Sequence, residues 1–231
     1  MYKVGVIIFS RFSSKRLPGK ALIEINGKPL LSYVIEQSKK ITPCDEIVVA
    51  TSENKDDDSI ASYGKNQSIK VWRGSLNNVL ERCLLCSKFY KFDYIVRICG
   101  DRVFVDYLFI NKLLEKLKST KFDIYTNFCY ENPPSKGAMA EIISKNALEV
   151  IVKNGPNKLE REHMTSYIYK NPEKFNIYYE KPNFSNKDIN FSIDTYSDLK
   201  KAEKILKLIH KNKEELTINN IIRNIDLMDK T

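Results

Sequence analysis

The chain is short of the residues that most polar active sites are built from. It has two histidines, one tryptophan, eight glycines and eight prolines in 231 residues. Two histidines leave no room for a histidine-rich metal centre. The few glycines form neither a G-x-x-x-x-G-K-[S/T] loop nor a G-x-G-x-x-G loop, so the two common glycine-rich phosphate motifs are excluded. No apolar run approaches the roughly 18–20 residues of a membrane span, and no membrane association is expected. The five cysteines (Cys44, Cys83, Cys86, Cys99, Cys129) are odd in number. Met1-Tyr2-Lys3 leads straight into an apolar strand, so no targeting segment is expected. Together these predict reduced thiols and a cytoplasmic protein. Cys83-Leu-Leu-Cys86 is a lone C-x-x-C in a helical pattern, without the second ligand pair that zinc needs. Internal repeats, low-complexity linkers, dense basic runs and RNP-like aromatic motifs are also missing. The net charge of +9 is spread along the chain, so it predicts a solvated surface and a polyanionic small ligand, with no nucleic-acid partner.

What is present is a 42% hydrophobic composition and an alternation of strand-like and helix-like segments. One domain spanning residues 1–231 is expected. Strands are predicted at 4–9, 46–50, 69–72, 94–99, 123–127, 175–179 and 189–192, with a short extended segment at 21–25. Helices are predicted from Lys28-Pro29 onward and at 56–65, 77–91, 107–118, 145–152, 160–170 and 196–211. The helix at 196–211 turns Leu199, Ala202, Ile205, Leu206 and Ile209 to one side. Such alternation implies an α/β fold, with a mostly parallel sheet covered on both faces. Ligands of such sheets sit at the carboxyl ends of the strands.

The most informative segment follows the first strand. Residues 10–20 read Ser-Arg-Phe-Ser-Ser-Lys-Arg-Leu-Pro-Gly-Lys, placing Arg11, Lys15, Arg16 and Lys20 beside Ser10, Ser13, Ser14 and Gly19. Arginine offers forked donors to phosphate, lysine a point charge, and glycine a close backbone approach. The loop suits a triphosphate; a solvated basic turn is the alternative. Thr51–Asn54, Gly74-Ser75, Gly100-Asp101 and Asp194-Thr195 fall at other predicted strand ends.

Two of those loops carry acids. Asp101 and Asp194 each read alone as a helix cap or turn former. As a pair facing four cations they read as ligands for Mg²⁺, which takes one or two carboxylates and completes its shell with phosphate oxygens and water.

Several motifs occur in one order: Ser-Arg-x-x-Ser-x-Arg-Leu-Pro-Gly-Lys (10–20), Asn-Gly-Lys-Pro-Leu-Leu (26–31), Val-Val-Ala-Thr-Ser (48–52), Arg-Gly-Ser (73–75), Ile-Val-Arg-Ile-Cys-Gly-Asp (95–101), Glu-Arg-Glu-His (160–163) and Ile-Asp-Thr (193–195). Over residues 3–210 the chain resembles the cytidylyltransferase superfamily. The resemblance is to the branch typified by the spore-coat polysaccharide biosynthesis protein, with acylneuraminate (sialic acid) and 3-deoxy-manno-octulosonate cytidylyltransferases as relatives. It implies a Rossmann-like, glycosyltransferase-A-type nucleotidyltransferase sandwich around a mixed, mainly parallel sheet. It implies that Arg11, Arg16 and Lys20, with Ser10 and Ser14, hold the triphosphate of CTP. Asp101 and Asp194 would bind Mg²⁺, with Asp101 also counted as catalytic. The pyrimidine would lie near Thr51, Arg73, Gly74, Ser75 and Arg82. The implied reaction transfers CMP from CTP to a hydroxyl of an acidic sugar or related small acid, for surface polysaccharide synthesis, and releases pyrophosphate. Residues 130–190 would form the acceptor side and, as in sialic acid relatives, a homodimer contact.

Two segments depart from the pattern. Arg102-Val103-Phe104-Val105-Asp106 replaces Cys-Pro-Leu-Ile-Asp, and Gly137-Ala138-Met139-Ala140-Glu141 replaces Gly-Leu-Asp-Val-Glu. Arg102, Glu141 and His163 are therefore the candidate acceptor residues, with a structural hydrogen bond as the other reading of His163. Tyr167, Tyr169, Phe175, Tyr178 and Tyr179 read as core or dimer surface. The alternatives to this function are a nucleotide-sugar-dependent glycosyltransferase, which lacks its Asp-x-Asp here, and a catalytically inactive nucleotide-binding homologue.

Overall fold

The computed structural model describes residues 2–14, 16–182 and 189–228, so Lys15 of the basic loop lies outside the described residues. In chain order the strands and helices are β1 (Val4–Phe9), β2 (Glu24–Ile25), β3 (Lys28–Pro29), α1 (Leu30–Ser38), β4 (Glu46–Ser52), α2 (Asp58–Asn66), β5 (Lys70–Gly74), α3 (Val79–Tyr90), β6 (Tyr94–Cys99), α4 (Tyr107–Lys116), β7 (Ile124–Thr126), β8 (Glu141–Ser144), α5 (Lys145–Lys153), α6 (Lys158–Glu162), α7 (Ser166–Lys170), β9 (Ile177–Tyr179), α8 (Tyr196–Lys211) and α9 (Ile218–Met228).

All six residues of β1 are buried because the strand is covered on both faces, which is why it reads as an unbroken apolar run. Its pleat sends Val4, Val6 and Ile8 into one core, with Leu30, Leu31, Leu113 and Leu206. Ile7 and Phe9 enter the other, with Leu80, Cys83, Leu148 and Ile168. The sheet runs β5-β4-β1-β6-β8-β7-β9. The chain moves outward from β1 through β4 to β5, all parallel, then crosses back to place β6 parallel on the other side of β1. β8 is antiparallel to both β6 and β7, and β9 is parallel to β7. The expected mixed, mainly parallel α/β sheet is thus the observed one. Its reversal point lies between β1 and β6, where such sheets open a crevice.

Several element expectations are corrected. Residues 160–170 form two short helices, because His163 leaves helical geometry (φ −108°, ψ 68°) and its carbonyl starts a new turn with Ser166 N. Buried Met164 then points into the core. Residues 189–192 form no strand; only Asn190 makes an isolated bridge, to Lys136. Asn190 Oδ1 takes the Ser192 N–H at 2.9 Å, removing a donor that a ladder would use. Residues 20–22 are a 3-10 turn, and Lys28–Pro29 pair with β2 before the helix begins at Leu30. Thr51 and Ser52 belong to β4 and not to a loop. β8 and α9 were not expected: four residues are too few for a period to show, and α9 follows the last recognisable motif.

Candidate active site

The basic loop is held at both ends. At its start Ser10 N donates to Ala50 O at 3.1 Å, and Gly100 N to Phe9 O at 2.7 Å. A Cβ on Gly100 would stand 2.9 Å from Ser10 Cβ, so only glycine lets the ends of β1 and β6 approach this closely. Further on, Phe12 N donates to Asp57 Oδ1 at 2.6 Å. Asp57 is 1% exposed, and its other oxygen accepts Ser52 N at 2.9 Å and the Ser52 hydroxyl. Asp57 therefore ties the loop to the end of β4. It lies in a run of three aspartates, which gave sequence reading nothing to single it out.

Two of the loop's cations, Lys20 and Arg16, meet the two predicted acids. Lys20 Nζ lies 2.6 Å from Asp101 Oδ2, 3.1 Å from Asp194 Oδ1 and 3.0 Å from the Ile193 carbonyl. Arg16 and Lys136 pair with Asp194 Oδ2 at 2.9 and 2.8 Å. Lys136 was not anticipated, because it comes from the distant 130–140 segment. Burial opposes ionisation of Asp194, but hydrogen bonds from Lys136 and Lys20 outweigh it and hold the pKa at about 2. Neither acid is a helix cap. Thr195 and Asp198 form the capping box of α8, and Asp106 caps α4. The cap alternative is removed for both, and their carboxylates stay directed at the loop. Arg11 leaves this cluster and pairs with Glu162 of α6 at 2.8 Å. Ser14 N closes the loop onto Phe12 O.

The residues read as the nucleoside side divide in two. Arg73 is committed within the protein: Nε donates to Ser52 O at 2.8 Å, Nη2 to Asn54 O at 2.8 Å, and Nη1 pairs with the Asp58 carboxylate at 2.5 Å. It shapes the loop after β4. Gly74, Ser75 and Arg82 do come together. Arg82 Nη1 donates to Ser75 O at 2.6 Å, and its Cγ stands 3.1 Å from where a Gly74 Cβ would be. Burial lowers the Arg82 pKa to about 10, so it remains a cation at neutral pH. Its Nε and the Thr51 hydroxyl are buried without a hydrogen-bond partner. Buried polar groups are usually paired, so both are poised for a ligand atom or water.

Of the residues read as the acceptor side, Glu141 has no exposed side chain and pairs with Arg97 at 2.7 Å. Its other oxygen accepts the Tyr169 hydroxyl at 2.9 Å, and Tyr169 also meets Thr126. Burial disfavours the Arg97 cation, and neighbouring Cys99 and Glu141 more than restore it. Burial and Glu141 hold the Tyr169 hydroxyl protonated. Arg97 was missed, although an arginine inside the apolar run 95–99 was the available signal. Arg102 Nη1 donates to the Met139 carbonyl, so the departures at 102 and 139 are in contact. With Arg97, Asp106 and Ala138 they line a cavity of about 20 Å³, room for a single water. His163 is exposed, and its ring bonds to no described residue. Its chain neighbour Glu162 is the residue that pairs with Arg11. Tyr167 and Phe175 are core, whereas Tyr178 and Tyr179 lie exposed on the edge strand β9.

A divalent cation fits the acid pair. Asp101, Asp194 and the Ile193 carbonyl already surround one cation, and all three present hard oxygen donors. Among the described residues no three His, Cys, Asp or Glu side chains form a metal-holding group. A metal here would complete its shell from substrate phosphate and water. The C-x-x-C carries no such chemistry: burial pushes the Cys83 thiol up to about 12 and raises Cys86 as well. A concavity of about 370 Å³ lies at the opposite end of the sheet, lined by Tyr2, Asp93, Lys121 and Lys145, far from these loops. No described helix is long and apolar enough to cross a membrane.

Comparison with known proteins bears on the family and the fold. The family model described as Cytidylyltransferase matches residues 5–223. An uncharacterised protein of Methanocaldococcus jannaschii, MJ1063, is 36% identical over 200 residues, covering 86% of this chain and 81% of its own. The spore coat polysaccharide biosynthesis protein SpsF of Bacillus subtilis is 29% identical over 205 residues, covering 86% and 84%. The solved structure of a cytidylyltransferase from Leptospira borgpetersenii superposes with a TM-score of 0.89 at 26% identity, covering 100% of this chain and 95% of that one.

Proposed function

The chain belongs to the cytidylyltransferase family and is a nucleotidyltransferase, and on that premise we propose that it transfers CMP from CTP to a hydroxyl of a small acidic acceptor, with Mg²⁺ held by Asp101 and Asp194. The observation that carries this reading is the convergence of Lys20, Arg16, Asp101 and Asp194 at the reversal point between β1 and β6. The basic loop supplies positive charge for three phosphates. The acid pair supplies the metal ligands. The orphaned Arg82 Nε and Thr51 hydroxyl offer polar contacts for the nucleoside.

The reaction needs no covalent protein intermediate. The acceptor oxygen forms a bond to the α-phosphorus, the bridging bond to the β-phosphate breaks, pyrophosphate leaves with that electron pair, and the hydroxyl proton passes to solvent. Arg16 and Lys20 neutralise charge growing on the departing pyrophosphate. Arg11 stands at the α6 side of the same loop, where Glu162 fixes its direction. Ser10 N ties the end of β1 to β4 and Gly100 N ties it to β6, which fixes where the basic loop leaves the sheet and so where it would align the phosphates. The metal, when bound, contributes Lewis-acid stabilisation of the reacting phosphate. Arg102 and Lys136 border the acceptor side together with His163, and the two cations favour a carboxylate-bearing acceptor. The relation to SpsF, a spore coat polysaccharide biosynthesis protein, supports a product destined for surface polysaccharide. A cytoplasmic homodimer built through residues 130–190, where Tyr130, Tyr178 and Tyr179 are exposed, completes the reading.

Isothermal titration with CTP, UTP, ATP and GTP, with and without Mg²⁺, tests the donor. Selective, metal-sensitive CTP binding is expected, followed by pyrophosphate release when a panel of sugar acids is added. Failure to bind any triphosphate would reject the proposal.

A further inference from the structure

Lys20 stands in a position that phosphate binding alone does not explain. Its side chain is only 14% exposed, and its ammonium meets three oxygens: Asp101 Oδ2 at 2.6 Å, Ile193 O at 3.0 Å and Asp194 Oδ1 at 3.1 Å. Three protons and three acceptors leave the ammonium fully satisfied. Those acceptors are the protein oxygens a divalent ion would take. Arg16 and Lys136 reach only the outer Asp194 oxygen, and both are more than half exposed. The cage is thus centred on the buried lysine, with the other cations at its rim. A divalent ion cannot enter while the ammonium stays, because like charges a few ångströms apart at a partly buried site repel strongly. Lysine is suited to leaving. Its charge sits on a flexible four-carbon stem and can swing without moving the backbone.

We infer that Lys20 is the built-in counter-ion of the Asp101–Asp194 pair, and that a divalent metal is admitted to that pair only as a triphosphate draws the ammonium away. The inference rests on the metal and triphosphate assignments above and deepens them. Lys20 exchanges one anionic partner for another, so the acid pair is never left without a cation. Metal and nucleotide then tighten each other's binding by the same factor. The metal alone is a weak ligand of the protein.

The test is Mn²⁺ binding followed by electron paramagnetic resonance, which separates free from protein-bound ion. Wild-type protein should bind Mn²⁺ alone weakly, and at least tenfold more tightly in the presence of saturating CTP. Lys20→Met should bind Mn²⁺ alone at least tenfold more tightly than wild type, with circular dichroism reporting its fold. A folded Lys20→Met protein with wild-type affinity for Mn²⁺ alone would overturn the inference. So would a wild-type Mn²⁺ affinity that CTP leaves unchanged, a result that needs no variant. Asp194→Asn separates the two levels. If it loses Mn²⁺ in the presence of CTP while Lys20→Met gains nothing without it, the metal assignment stands and the counter-ion role falls. If Asp101→Asn and Asp194→Asn both keep wild-type Mn²⁺ binding with CTP, the metal assignment falls as well.

Discussion

Asp57 makes no contact with any group assigned to the chemistry, yet it sets where the basic loop stands. It takes donors from Phe12 N, Ser52 N and the Ser52 hydroxyl while 1% exposed. Asp57→Ala would leave those donors unpaired in the interior. The expected loss is about 3 kcal/mol of stability, read as a lower urea midpoint, together with weaker CTP binding. Arg16 behaves differently. Its side chain is largely exposed where it pairs with Asp194, so the pair adds little to stability. Arg16→Ala should leave the urea midpoint within about 0.5 kcal/mol of wild type. It should weaken CTP binding by about 1.5–3 kcal/mol, the scale of a charged hydrogen bond. Equal CTP affinity in a titration would remove Arg16 from the site. Asp101→Asn should fold normally and release no pyrophosphate in a coupled assay. Ordinary turnover would reject its role. At this scale the basic loop and the two acids were legible, since four cations in ten residues and acids at strand ends are local patterns. Asp57, Lys136 and Arg97 were not, because each gains its meaning from a partner far away in sequence.

The elements that bring Asp194 to Lys20 were the hardest to read. Asp194 follows a segment of which residues 189–192 were expected to be a strand, and which is held instead by single contacts. Phe191 N donates to Lys136 O at 2.7 Å, and Ile193 N to Asp101 O at 3.1 Å. Gly137 makes the first contact possible. It has φ +84°, and a Cβ there would lie 2.6 Å from Ser192 N. Gly137→Ala should cost about 2 kcal/mol or more. It should also shift the 189–194 segment, so Mn²⁺ binding in the presence of CTP should fall further than stability alone explains. Unchanged metal binding would show that this segment does not need its contact with Gly137. By contrast, α8 was legible almost to the residue: its apolar stripe is buried as expected and its Thr195–Asp198 box starts it. A sixteen-residue period is a strong signal, whereas a four-residue strand such as β8 carries almost none.

For the molecule as a whole, acid is the condition that acts on many groups together. Asp194 is held at about 2 against an ordinary 3.8. Glu160 is lowered by the Asn157 backbone N–H, Glu180 by the Tyr125 hydroxyl and Glu215 by the Tyr107 hydroxyl. Each is a folded-state pKa below its unfolded value. Their stabilisation is therefore fully present above about pH 5 and is lost as pH falls through 4 towards 2. Buried Asp106 is raised and acts in the opposite sense. The urea midpoint should hold steady from pH 7 to 5 and then drop. A midpoint that rises below pH 5 would contradict the depressed carboxylates.

Sequence alone was enough to read the class of fold, the central strands, the long helices and the basic loop. These depend on periodicity and on residues that are neighbours in the chain. It also carried the motif order that places the chain in its family. Folding settled which acids face which cations. It freed Asp101 and Asp194 from capping, turned Arg11 towards Glu162 and Arg73 towards the backbone, buried Glu141 against Arg97, and seated Lys20 between two carboxylates. The physical reason is range. A hydrophobic period acts over a few residues, but an ion pair between Lys20 and Asp194 exists only after the chain has closed a loop of more than 170 residues and the sheet has reversed between β1 and β6.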